Sequence, residues 1–196
     1  MKNNITFCLL VFCLDSLNLI SAQGAYAQER KHHFALYLGA GPNYYFNNLA
    51  IGKDLIRPLN YSLVGRLMWE PGRIITLGIE SGYSQMYTAT YSTSLSTSAH
   101  ISKIAIPIQL VSSIKILKNY YANFSIGQTC IQSRVSGPST GNSKSSSWSL
   151  ADFSLGGGYR YTFKSRISLA AEARFFYSTK YSDGNIAILF MAGYKF

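Results

Sequence analysis

The 196-residue sequence predicts an all-β fold, an eight-stranded antiparallel transmembrane up-and-down β-barrel. Three observations predict it. The chain ends on the alternating run Ile186, Ile188, Phe190, Ala192, Tyr194, Phe196. Seven further segments alternate the same way or nearly so, with one greasy face and one small, polar or charged face. The connections between them alternate long and short. Strand side chains point to opposite faces with a period of two. A bilayer admits β-structure only as a closed barrel, because an open edge leaves backbone polar groups unsatisfied in hydrocarbon.

At the N-terminus, Met1-Lys2 gives a positive start and Ile5–Leu14 an apolar run of secretory length. Ala25-Tyr26-Ala27 fits a small-residue cleavage site, with an earlier choice after Ala22. Residues 1–27 therefore read as a signal peptide, 28–33 as a periplasmic tail carrying His32 and His33, and 34–196 as the barrel. The apolar run is too short for the ~20 residues of a spanning helix. Cys8 and Cys13 leave with the signal, so Cys130 remains with no intrachain partner. The net charge of +10 survives processing, because Lys2 and Asp15 cancel. In an exported basic protein that charge suits the anionic lipopolysaccharide of an outer leaflet better than nucleic acid.

The eight strands are expected at Phe34–Phe46, Tyr61–Glu70, Ile74–Tyr87, His100–Ile114, Tyr120–Ser133, Leu150–Phe163, Ile167–Tyr177 and Ile186–Phe196. Most exceed soluble strands and match the ~9–11 residues that cross a bilayer at a tilt. In the second, Tyr61, Leu63, Leu67 and Trp69 oppose Ser62, Arg66 and Glu70. In the third, Ile75, Leu77 and Ile79 oppose Thr76, Gly78 and Glu80. The fourth sets Ile104, Ile106, Ile108 and Leu110 against Lys103, Ala105, Pro107 and Gln109. The sixth sets Phe153, Leu155, Tyr159 and Tyr161 against Asp152, Ser154 and Arg160. The seventh sets Leu169, Phe175 and Tyr177 against Glu172 and Arg174. A soluble barrel has the reverse arrangement. In water this apolar exterior would be an abnormally large patch; in lipid it is a requirement. The 15 Tyr and 11 Phe suit strands and interfacial girdles.

Short turns are expected at Pro71-Gly72-Arg73, Lys115–Asn119 and Lys164-Ser165-Arg166. The long connections near Ser92–Ser98 and Ser136–Ser147 are rich in Ser, Thr and Gly and are expected to be solvated loops. Pro107 cannot donate to a ladder, so a bulge or kink is expected there. Gly156-Gly157-Gly158 lies inside a strand and lacks the helix start of a phosphate loop; it reads as relief of crowding in the wall.

Several stretches resemble the outer-membrane β-barrel domain family common in Bacteroidota. They are Ile104-Ala105-Ile106-Pro107-Ile108, the Gly-containing Leu36–Gly41, and the ending Ala192–Phe196. More broadly the chain looks like small barrels of the OmpA/OmpX type. The resemblance implies residence in the outer membrane of a Gram-negative envelope, with both termini periplasmic. It also implies that Phe190, Tyr194 and Phe196 form the signal read by the barrel-assembly machinery.

An eight-stranded barrel is just wide enough for side chains to fill it. Inward charges must then pair, and Arg66, Glu80, Arg160, Glu172 and Arg174 are expected to form a lumen ion-pair network. His100 and Ser102 resemble the His-x-Ser of outer-membrane lipid A deacylases, which makes them the catalytic candidates. No acid on the adjoining outward faces is in place to orient the His. His32 and His33 lack metal-ligand spacing, and no cofactor or metal is expected. The reading is a non-catalytic barrel with a structural or surface-interaction role. Its partners would be outer-membrane lipid and lipopolysaccharide, the assembly machinery, and envelope proteins reached through outer loops. The alternatives are a porin-like narrow pore or accessory part of an envelope transport or secretion machine, a lipid A-modifying enzyme, and a soluble periplasmic ligand-binding barrel.

Overall fold

The computed structural model describes residues 32–47, 56–71, 74–93, 97–137 and 141–196. The expected signal peptide and most of the expected tail lie outside the described residues. The described residues form nine strands: β1 (His33–Asn47), β2 (Ile56–Arg57), β3 (Leu59–Glu70), β4 (Ile75–Thr93), β5 (Thr97–Lys115), β6 (Tyr120–Gly137), β7 (Gly141–Thr162), β8 (Ile167–Ser178) and β9 (Asp183–Lys195). Eight of them close an antiparallel barrel in which each strand pairs with the next and β9 returns to β1. The closing ladder runs from Ala35↔Lys195 to Asn47↔Asp183. β2 is a short addition to the upper part of β4. The connections β3–β4, β5–β6 and β7–β8, at the end of the barrel that holds the chain terminus, are short. The opposite mouth is the hairpin end.

The alternation sets the two faces. Leu110 and Phe190 are 67% and 66% exposed on the outside, whereas Leu189 and Glu172 inside are 0% and 1% exposed. The lumen is not wholly polar. Tyr37, Val64, Met68, Val111, Leu189 and Met191 form an apolar cluster within it. At the terminal end, Phe34, Trp69, Tyr120, Tyr159, Tyr161, Tyr194 and Phe196 make an outward aromatic girdle.

Four expectations need correction. The described residues of the Ser-rich connections are strand, while 94–96 and 138–140 lie outside the described residues. β4 and β5 stay paired to Thr93↔Thr97, and β6 and β7 to Gly137↔Gly141. A hairpin ladder satisfies backbone groups that a loop would leave to water, so polar residues extend the strands past the barrel. Second, Pro107 carries no bulge: the β4–β5 register is the same at Ser81↔Ile108 and at Ser84↔Ala105, with the bridges between them missing. The extra residue sits on the neighbouring strand, between Gln85 and Tyr87, and a second irregularity lies between β6 and β7 beyond Gly127. Third, His33 belongs to β1 and its ring nitrogen meets the carbonyl oxygen of Phe196 at 3.1 Å; His32 stacks on Trp69 at 5.8 Å. Fourth, β9 begins at Asp183 rather than Ile186.

Close approach requires glycine at several wall positions, Gly41 and Gly156 among them. A Cβ on Gly41 would lie 1.8 Å from the carbonyl oxygen of Ile188. A Cβ on Gly156 would lie 2.2 Å from Asn123 Oδ1, so this glycine makes room for a polar group of the lumen.

Candidate functional site: the lumen charge layers

Arg66 projects inward from β3, between Val64 and Met68. Its Nε donates to Glu80 Oε2 on β4 at 2.7 Å. Its two Nη groups donate to the two oxygens of Glu172 on β8, each at 3.0 Å. Glu172 also accepts from Tyr121 Oη at 2.8 Å and Asn123 Nδ2 at 2.9 Å. Arg174 crosses the other way, from β8 to Glu80 on β4. It is hydrogen-bonded to Ser154 Oγ at 2.9 Å and to Gln109 Oε1 at 3.2 Å. In the barrel order β4 and β8 are four strands apart either way round, hence diametrically opposed. Two guanidiniums and two carboxylates thus tie opposite walls together with no net charge. Fork-on-fork pairing of this kind combines strength with fixed geometry.

Arg160 is not part of this group, contrary to expectation. β7 carries it nearer the terminal end, two residues past the Gly158↔Glu172 rung and four past Gly156↔Arg174, where its Nη1 donates to Tyr37 Oη at 2.7 Å and lies 3.5 Å from Glu70. Its guanidinium sits 5.2 and 5.3 Å from the ring centroids of Tyr37 and Tyr121. Glu70 also holds Lys195 at 2.8 Å. A third layer lies toward the hairpin end: Lys103 pairs with Asp183, which accepts from Tyr45 Oη at 2.7 Å. Between the middle and hairpin-end layers, Asn43 donates to Ser62 at 2.6 Å and to Ser84 at 2.9 Å. Parity places Glu70 and Lys103 on the inner face, but nothing local in the sequence names their partners. Asp183 escapes the sequence reading, because it falls before the expected start of its strand.

The lumen is therefore filled. Cavities of about 20 and 10 Å³ flank the middle layer, one beside Ser62, Arg174 and Asn185, the other beside Arg66, Tyr121 and Arg160. Each is of the size of about one water.

His100 and Ser102 stand apart from these layers on the outward face of β5. His100 Nδ1 lies 3.4 Å from Thr90 Oγ1. Among the described residues no Asp or Glu is hydrogen-bonded to it, so the acid of a triad is not supplied there. Ser102 sits directly across from Arg134. Among the described residues no group of three His, Cys, Asp or Glu side chains could hold a metal.

A closed barrel with an apolar exterior and a charge-filled lumen defines the class of transmembrane outer-membrane barrels. The chain belongs to the outer membrane protein beta-barrel domain family, whose model matches residues 16–196. Among solved structures it is similar to Ail, the attachment invasion locus protein of Yersinia pestis. That match has 11% identity and a TM-score of 0.54, covering 85% of this chain and 99% of that one. It is also similar to a major outer membrane protein of Thermus thermophilus, with 11% identity and a TM-score of 0.53, covering 84% and 99%. At such identities the likeness shows the fold. No curated protein matches the sequence.

Proposed function

We propose that this protein is a non-conducting, non-catalytic outer-membrane barrel that displays two tall polar hairpins at the cell surface. The observation that supports this reading is the pairing of a side-chain-filled lumen with hairpins that continue past the wall. In the middle layer Arg66, Arg174, Glu80 and Glu172 are all paired with one another, and Asp152 beside them is fully buried and held by Ser149 and Thr179. The β4–β5 and β6–β7 ladders end in Ser, Thr and Gly residues suited to water. Both termini lie in the periplasm on this reading, since the short turns share their end of the barrel. The partners are outer-leaflet lipopolysaccharide around the wall, envelope proteins at the hairpins, and the assembly machinery, which reads Phe190, Tyr194 and Phe196 during insertion.

The test is a peptide tag inserted within residues 138–140. The reading expects antibody to reach the tag in intact cells and expects lipid A mass spectra to be unchanged by overexpression. A tag reached only after the outer membrane is opened contradicts the orientation. Loss of acyl chains contradicts the non-catalytic role.

A further inference from the structure

The charge on the outside of the barrel is one-sided. The five described acids, Glu70, Glu80, Asp152, Glu172 and Asp183, all face the lumen and are buried or ion-paired. Among the described residues the outward face thus carries cations and no Asp or Glu side chain to offset them. Two of these cations are brought into direct opposition. Arg134 on β6 and Lys144 on β7 are cross-strand partners, both exposed. Neither has a hydrogen-bond or ion-pair partner among the described residues, and Arg134 lies within electrostatic reach of Tyr83 on β4. Like charges directly opposite on a sheet repel, with Cβ atoms about 5 Å apart. Within one chain that arrangement is a cost; an anion placed between the two side chains would reverse its sign.

The neighbouring positions add donors. Arg134 is also the partner of Ser102, and His100 is the partner of Ser136 in the adjacent row. The result is an outward patch of Arg134, Lys144, His100, Ser102 and Ser136 without a single carboxylate. Its height is set by the row below. Trp148 is the partner of Cys130, and both lie on the apolar part of the wall. Arg134 is four residues beyond Cys130, a rise of about 13 Å along the strand and about 10 Å along the membrane normal at barrel tilt. The polar layer on each side of the hydrocarbon is about 5–8 Å thick. Long basic side chains reach back over such distances while their stems lie on apolar surface. The patch therefore stands at the level of lipid headgroups.

The geometry points to a binding site for the phosphomonoester of an outer-leaflet glycolipid, held between Arg134 and Lys144 with His100 and Ser102 as flanking donors. A phosphomonoester carries about −1.5 to −2 charges and three acceptor oxygens, which matches two adjacent cations; a phospholipid phosphodiester carries only one charge. The Arg fork suits two phosphate oxygens at once, and the Lys serves as a point charge. This gives His100 and Ser102 a role in binding rather than in acyl-chain cleavage. The inference rests on the proposed orientation, with the hairpins outward.

The test uses the purified full barrel in detergent micelles, with bis-phosphorylated lipid A as the probe and bound lipid counted by native mass spectrometry. Phosphate-free lipid A, phosphatidylglycerol and inorganic phosphate are the competitors. The site expects Arg134→Gln with Lys144→Gln to weaken lipid A binding at least tenfold while heat-modifiable migration is retained. Lys144→Glu alone should weaken it similarly. Lys115→Gln with Lys118→Gln, at the other end, should change it less than twofold. Equal binding by the patch variants or of phosphate-free lipid A overturns the site. Equal competition by phosphatidylglycerol overturns the phosphomonoester assignment, and equal competition by inorganic phosphate overturns the lipid source. Binding in micelles does not depend on orientation in the cell, so the tag experiment fails or succeeds independently of this one.

Discussion

Arg66 on β3 grips Glu172 on β8 through two parallel hydrogen bonds of 3.0 Å, spanning the lumen of the barrel. Glu172 is 1% exposed, so it cannot exchange this partner for bulk water. Removing one member of a buried pair costs about 3–5 kcal/mol, whereas replacing the whole pair with apolar groups is often close to neutral. Arg66→Met should therefore destabilise the barrel by about that amount in urea titrations followed by gel mobility. Arg66→Met with Glu172→Gln should recover a large part of the loss, because Arg174 and Glu80 still neutralise each other and the Gln carbonyl oxygen still accepts from Tyr121 and Asn123. A double variant weaker than both single ones would contradict this account of the layer.

Gly156 and Gly157 are adjacent but not equivalent. A Cβ at Gly156 would press on Asn123 Oδ1 at 2.2 Å and on Glu172 Oε1 at 3.2 Å; a Cβ at Gly157 meets nothing nearer than 3.5 Å. Gly156→Ala should cost about 1–3 kcal/mol by overpacking, and Gly157→Ala should be nearly silent. The same urea titration checks both.

Phe196 closes the chain. Its backbone N donates to Phe34 O at 2.8 Å, and its ring lies edge-on to Tyr194 at 5.3 Å. Deleting it removes one rung of the closing ladder and one aromatic of the girdle, a loss of a few kcal/mol at about the scale of large-to-small changes. If it is also the assembly signal, the effect on cellular level is larger than that. Quantified outer-membrane fractions should show a sharp fall for the deletion and for Phe196→Asp, and little change for Phe196→Tyr. Normal levels of the deletion would remove the signal role.

Among the described residues no acid is hydrogen-bonded to His100, so His100→Ala should leave lipid A acylation unchanged in mass spectra. Acyl loss by the wild type that disappears in both His100→Ala and Ser102→Ala would restore the enzyme reading.

The period-2 pattern made the wall legible, because each inward or outward assignment depends only on parity once the strand is found. Arg66 and Glu80 could be paired from sequence because they face each other across one hairpin. Arg160 could not be placed. Its partners Tyr37 on β1 and Glu70 on β3 lie across the lumen, and their height depends on the barrel's stagger rather than on any local signal. The Ser-rich hairpins read as loops for a related reason. Polarity marks contact with water, but it does not distinguish a solvated loop from a strand that has outgrown the membrane.

If the charge layers seal the lumen, single-channel recording of the purified barrel in planar bilayers will show it. The layers at Glu70–Lys195, Arg66–Glu172 and Lys103–Asp183 lie in series, with water-sized cavities flanking the middle one. The account predicts bilayers that carry inserted protein, verified by heat-modifiable migration of the recovered sample, yet show no steady conductance. A stable nanosiemens-scale channel from the folded protein would contradict it.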